Sequence, residues 1–220
     1  MKKAVNIFVL FFFLFGSSGF SQDFDIARVL DSTKLKLNGI DSYTVDATFK
    51  VDIDFVNMPD KIATIYFQAP DKFDIETDGF LMVPKIGMKP MTKQLDLENY
   101  HAVYLGKEEV NGGSCFVIKM IPKKRNNKIV LATLWIGVDS YLVSRWEVFT
   151  KRAGNIMIDL FYKNHLLPAE MIFSFELSGM NIPLKYFGNE VEVDKSGLKN
   201  AESQKGKVVV SFENYQIGFK

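Results

Sequence analysis

The chain has 220 residues, 47% of them hydrophobic, and its 27 basic and 26 acidic side chains leave a net charge of +1. That length suits a single domain with a substantial core, and the charge balance gives no basic field for nucleic acid. The only cysteine is Cys115, so no internal disulfide can form.

The first residues read as an export signal. Lys2 and Lys3 precede an apolar run from Ala4 to Phe15, and Gly16 to Ser21 is small and polar. Small side chains at Gly19 and Ser21 place cleavage near Ser21, so residues 1–21 are expected to leave and residues 22–220 to form the mature domain. As a helix the apolar run would be about 18 Å long, short of a ~30 Å hydrocarbon core. Loss of Lys2 and Lys3 takes the formal charge from +1 to about −1. No cysteine stands at the cleavage junction to carry lipid, which predicts a soluble exported protein.

From Phe24 to Leu37, Ile26, Ala27, Leu30 and Leu37 fall near helical spacing, with Val29 and Leu35 beside them, and Asn38-Gly39 supplies a stop. One amphipathic helix is expected there. Val45 to Phe55 then alternates apolar and polar residues without a break, the period of a strand with one wet face. Long, twisted strands of this kind curl into barrels or half-barrels.

Strand and turn signals continue almost to the end. The expected strands are Tyr43–Phe55, Ile62–Gln68, Phe73–Thr77, Ala102–Val110, Cys115–Ile121, Ile129–Val138, Leu142–Thr150, Ile156–Tyr162, Ala169–Leu177 and Val208–Tyr215. Short connections such as Asn111-Gly112-Gly113 and Asp139-Ser140 make neighbours antiparallel. Two stretches break the rhythm. Gly79 to Met91 is strongly apolar, yet Gly79, Pro84, Gly87 and Pro90 forbid a regular central strand, so it reads as a core-plugging loop or a flap. Asp194 to Lys207 is polar and reads as a solvated connection.

No catalytic set emerges, and the chain is not expected to be an enzyme. His165 falls in a turn and His101 begins a strand. No H-x₃-H, C-x₂-C or G-x-S-x-G spacing occurs, so neither a metal nor a cofactor is expected. Asp46, Asp52 and Asp54 line the wet side of one strand, where charge discourages edge-to-edge pairing. Lys123, Lys124 and Arg125 read as an exposed turn.

The informative residues are the apolar strand faces. One carries Val45, Ala47, Phe49, Val51, Ile53 and Phe55. Others carry Ile65 and Phe67; Phe73 and Ile75; Phe116, Ile118 and Met120; Ile156, Ile158 and Leu160; Met171, Phe173 and Phe175. A single helix does not cover that width. Either the sheet closes on an ordinary core, as in a non-enzymatic envelope-assembly module with no lipid cargo, or the faces line a cavity for an elongated apolar ligand. In the second case Phe24, Ala27 and Leu30 of the helix, with Phe80, Leu81, Met82, Val83, Ile86 and Met88 of the apolar loop, would form the lid.

The chain resembles the periplasmic lipoprotein carriers of the LolA/LolB type. The resemblance runs through Ala69-Pro70-Asp71-Lys72-Phe73 to Asp78-Gly79-Phe80, then Phe116 to Lys123, Leu134-Trp135-Ile136-Gly137-Val138-Asp139, and Leu167-Pro168-Ala169 before Ile172-Phe173-Ser174-Phe175. It implies an unclosed antiparallel β-barrel of about eleven strands with a helical lid, whose cavity shields the acyl chains of lipoprotein or related lipid cargo. It also implies an inner-membrane transporter as donor and an outer-membrane acceptor, with the carrier a monomer in the periplasm. Those carriers latch the lid with an arginine on an early strand. Here Arg28 lies on the helix instead, so the latch is not carried over.

Overall fold

A computed structural model describes residues 24–53, 56–78, 95–124, 129–151, 154–163, 166–176 and 205–220, and the backbone of 192–193. The expected signal segment and the apolar loop from Gly79 to Met91, with Phe80, Leu81, Met82, Val83, Ile86 and Met88, lie outside them, as does Phe55.

The helix α1 spans Ile26–Asn38. It starts two residues later than the pattern predicts because Asp25 is its cap: the carboxylate accepts the Arg28 N–H at 2.9 Å. Gly39 ends it. Ile26, Thr33 and Leu37 centre the packed arc, with Val29 and Leu30 on its flanks. Ala27 falls outside that arc and is exposed, which corrects its expected place in the lid face. At 100° per residue it sits 60° beyond Leu30, on the solvent side.

The strands are β1 (Ile40–Asp52), β2 (Val56–Asn57), β3 (Lys61–Gln68), β4 (Lys72–Thr77), β5 (Tyr100–Val110), β6 (Gly113–Pro122), β7 (Ile129–Gly137), β8 (Val143–Thr150), β9 (Gly154–Phe161), β10 (Glu170–Glu176), β11 (Glu192–Val193) and β12 (Lys205–Phe219). Ten form one antiparallel sheet in the order β4-β3-β1-β12-β10-β9-β8-β7-β6-β5, and β11 pairs with β2 apart from it. Each long strand expected from the sequence has its counterpart. The main differences are at the ends of β1 and β12. β1 begins at Ile40 and stops at Asp52, because the chain turns back through a bridge from Ile53 to Val56. β12 begins inside the segment read as a polar connection and runs on to Phe219.

The topology is a meander from β5 to β10, and β12 returns to join β10 to β1. The β5–β6 hairpin turns through Asn111 and Gly112, with φ of 53° and 81°. Positive φ at both centres matches the right-handed twist of the flanking strands and favours Asn-Gly. β4 and β5 are the sheet edges and do not pair with one another among the described residues, so the barrel is unclosed.

The sheet is strongly curled. β1 and β5 are separated by seven strand spacings, about 34 Å along a flat sheet at ~4.8 Å each. Yet α1, about 20 Å long, runs directly into β1 at one end while Phe24 at the other stacks on Tyr104 of β5. The helix therefore spans the concave side as a chord.

Candidate functional site

The concave face is built in rows by strand register. The middle row runs Tyr104, Ile118, Leu134, Trp146, Ile158, Phe173, Val208 and Val51, from β5 to β1. On one side lie Ala102, Met120, Ala132, Val148, Ile156, Phe175 and Gly206. On the other, Leu160, Met171, Val210 and Phe49 follow one another. Beyond Phe49 the face continues through Ala47 and Ala63, then Val45, Ile65 and Ile75, and ends at Tyr43, Phe67 and Phe73. Register thus brings the strand residues singled out from the sequence onto one surface, apart from Ile53, which follows the end of β1, and Phe55, which lies outside the described residues.

Their burial is uneven. Phe49, Ile118, Ile158 and Phe173 are 0% exposed, and Val45, Ala47, Ile65, Phe67, Met120, Ile156 and Met171 are also buried. Val51, Phe73, Ile75, Phe116 and Phe175 are half-buried against the same cluster. Ile53 is buried just past the end of β1. Gly206 makes room for the Phe175 ring. A Cβ there would lie 2.6 Å from Cε2 and 2.8 Å from Cζ of that ring, closer than atoms pack.

Sequence reasoning missed the inward residues of β7, β8 and β12, among them Leu134, Trp146, Val148, Val208 and Val210. On β8, Trp146 and Val148 alternate with polar residues and carried a usable signal. Val208-Val209-Val210 did not, because a run of valines fits either phase.

The helix covers part of this face. Leu30 and Thr33 are fully buried, and the Thr33 hydroxyl donates to the Val29 carbonyl at 3.0 Å. Phe24 stacks on Tyr104 with ring centroids 3.6 Å apart and tilts against Phe116 at 4.9 Å. At the other end, Lys36 Nζ donates to the Ser140 carbonyl at 2.6 Å. The polar share of the interior is small and mostly satisfied. Tyr162 donates to the Val143 carbonyl at 3.0 Å and Tyr215 to that of Pro168 at 2.9 Å. Burial holds the phenols of Tyr43, Tyr162 and Tyr215 well above the ordinary tyrosine range. Among the described residues, Trp146 Nε1 is the buried side-chain polar atom with no hydrogen-bond partner. Such a donor costs about 1–3 kcal/mol.

Among the described residues, no three His, Cys, Asp or Glu side chains could hold a metal ion. Cys115 is buried, which pushes its thiol pKa up and away from the reactive thiolate. His101 is exposed on edge strand β5, and Asp46 and Asp52 are exposed on the convex side. No described helix is long and apolar enough to cross a membrane.

Several solved structures share the architecture. A domain named for outer membrane lipoprotein sorting, from Vibrio parahaemolyticus, superposes with a TM-score of 0.51 at 11% identity, over 88% of this chain and 93% of that one. A DUF1329 family protein from Desulfovibrio piger gives 0.50 at 11% identity, over 87% and 92%. A LolA superfamily protein from Nitrosomonas europaea gives 0.44 at 12%, over 87% and 94%. No family model matches the chain, and no curated protein matches it in sequence. At these identities the first two likenesses establish the fold: an open antiparallel sheet curled about an apolar interior, with a helix across it.

Proposed function

We propose that the protein is a non-enzymatic, soluble carrier in the periplasm that shields the acyl chains of a lipoprotein, or of a related lipid, during transfer to the outer membrane. The observation that carries this reading is the concave face. Among the described residues a ten-stranded sheet is left unpaired at β4 and β5 while its inward side is apolar from one edge to the other. An apolar face between unpaired edges would give an elongated apolar ligand a way in. The fold shared with a domain named for lipoprotein sorting supports the same reading. The donor would be an inner-membrane transporter and the acceptor an outer-membrane receptor, with the carrier working as a monomer.

One observation favours a second reading. Phe49 and Phe173 are 0% exposed, as in a filled core, and such a molecule would act in envelope assembly through its surface. The test is displacement of a fluorescent fatty-acyl probe from the purified protein, joined to mass spectrometry of lipids that copurify from the envelope. Saturable probe binding and a stoichiometric lipid support the carrier. A folded protein that binds no probe and copurifies with no lipid leaves the assembly module.

A further inference from the structure

Trp146 sits near the centre of the middle row, between Leu134 on β7 and Ile158 on β9. The next residues outward along that row are Ile118 and Phe173. None of these four side chains can accept a hydrogen bond. The indole is 1% exposed and its Nε1–H has no partner among the described residues. Trp135, one strand away on the opposite face, donates from the same atom to Glu108 Oε2 at 2.7 Å. An apolar side chain of similar shape would fill the Trp146 position without burying a donor, so the unmatched N–H calls for an acceptor from elsewhere.

Resting on the carrier reading above, we propose that the Trp146 Nε1–H is a recognition group for the head of an acyl chain: it donates to a neutral carbonyl oxygen, ester or amide, of the bound ligand. The surroundings select that chemistry. The inward rows offer hydrocarbon to a tail. Among the described residues no charged side chain is buried, so none of them would neutralise a carboxylate or phosphate beside the indole. A neutral carbonyl brings one strong acceptor and no charge. The donor is covered as the structure stands, so the ligand must part the neighbouring side chains or α1 as it seats.

The experiment compares uncharged monoacylglycerol and monoalkylglycerol of one chain length, which differ only in an ester or an ether linkage, with an amide-linked acyl peptide as a third arm. The indole ¹H–¹⁵N signal of Trp146 is read in Trp135→Phe protein, where it is the single indole, and affinities are read by displacement of a fluorescent acyl probe. The expected result is a downfield shift with the ester, no such shift with the ether, and an ester preference of about tenfold that falls to about one in Trp146→Phe. A matching shift and preference with the amide identifies an N-linked acyl group as an equal source of the carbonyl. Equal affinity for ester and ether with an unmoved indole signal overturns the proposal and leaves the carrier intact. Failure of every ligand to displace the probe, or of the probe to bind, removes the carrier reading and the proposal with it. Should Trp146→Phe not fold, the indole shift decides alone.

Discussion

Tyr43, Tyr162 and Tyr215 illustrate how a half-apolar side chain behaves at the margin of this interior. Tyr43 packs on the Phe67 ring at 5.1 Å and meets Tyr215 edge-on at 6.0 Å. Their phenols are held above the ordinary value of 10.0 chiefly by burial. Above pH 10 the unfolded chain releases these protons while the folded one keeps them. The unfolded state then binds fewer protons, so folding stability is full below pH 10 and falls as pH rises beyond it. The expected loss reaches about 1.4 kcal/mol per pH unit for each such tyrosine, read from urea unfolding between pH 9 and 11, and Tyr43→Phe should make the fall shallower. Cys115 offers a simpler check. Buried and with its thiol pKa raised, it should resist an aromatic disulfide reagent in the native protein and react at once in urea. At this scale the sequence was legible wherever polar and apolar residues alternate strictly, as from Val45 to Ile53. It was ambiguous on β7, where Leu134, Trp135 and Ile136 are all apolar and only register sends Trp135 outward to Glu108 and the Arg145 guanidinium.

Among the elements, α1 carries the mechanical question. It is tied down by Leu30 and Thr33 in the middle, by Phe24 on Tyr104 at one end and by Lys36 on Ser140 at the other. A helix of this length has little stability without its packed face. Its opening is therefore expected to be local, with α1 amides exchanging hydrogen faster than those of β8 and β9 in the middle of the sheet. Leu30→Ala, a change that costs about 2–5 kcal/mol in a core, should speed exchange in α1 and leave β8 and β9 unchanged. Equal acceleration in all three would make the helix part of the core and not a lid. The elements themselves were legible because each strand is bounded by strong turn chemistry, as at Asn111-Gly112. The end of β1 was not. The alternation continues past Asp52, and only the bridge from Ile53 to Val56 turns the chain back. The helix face was misread at Ala27 for a related reason: alanine is apolar enough to join the pattern but too small to reveal which side it takes.

For the whole molecule, the affinity of an acyl ligand is bounded from both sides. Each buried CH₂ contributes ~0.8 kcal/mol, so one sixteen-carbon chain would gain about 13 kcal/mol gross. Three such chains fully buried would exceed the ~18–21 kcal/mol at which non-covalent affinity saturates, and the cargo would never leave. In the proposed carrier, an open sheet with a helix that moves aside would meet that bound in two ways. Part of each chain would stay near the unpaired edges, and opening the packed interior would offset part of the gain. The fold was legible in the pattern, but the depth of the interior was not, because alternation says which face is apolar and nothing about how much of it a ligand can reach. A series of single-chain probes from eight to eighteen carbons measures that depth. Within the interior each added CH₂ should raise affinity about fourfold. Beyond the length it can hold, affinity should level off, and Phe173→Ala, which opens space in the middle row, should move that plateau to longer chains. A rise that continues through the whole series without a plateau would place the chains on an exposed surface, outside the curled sheet.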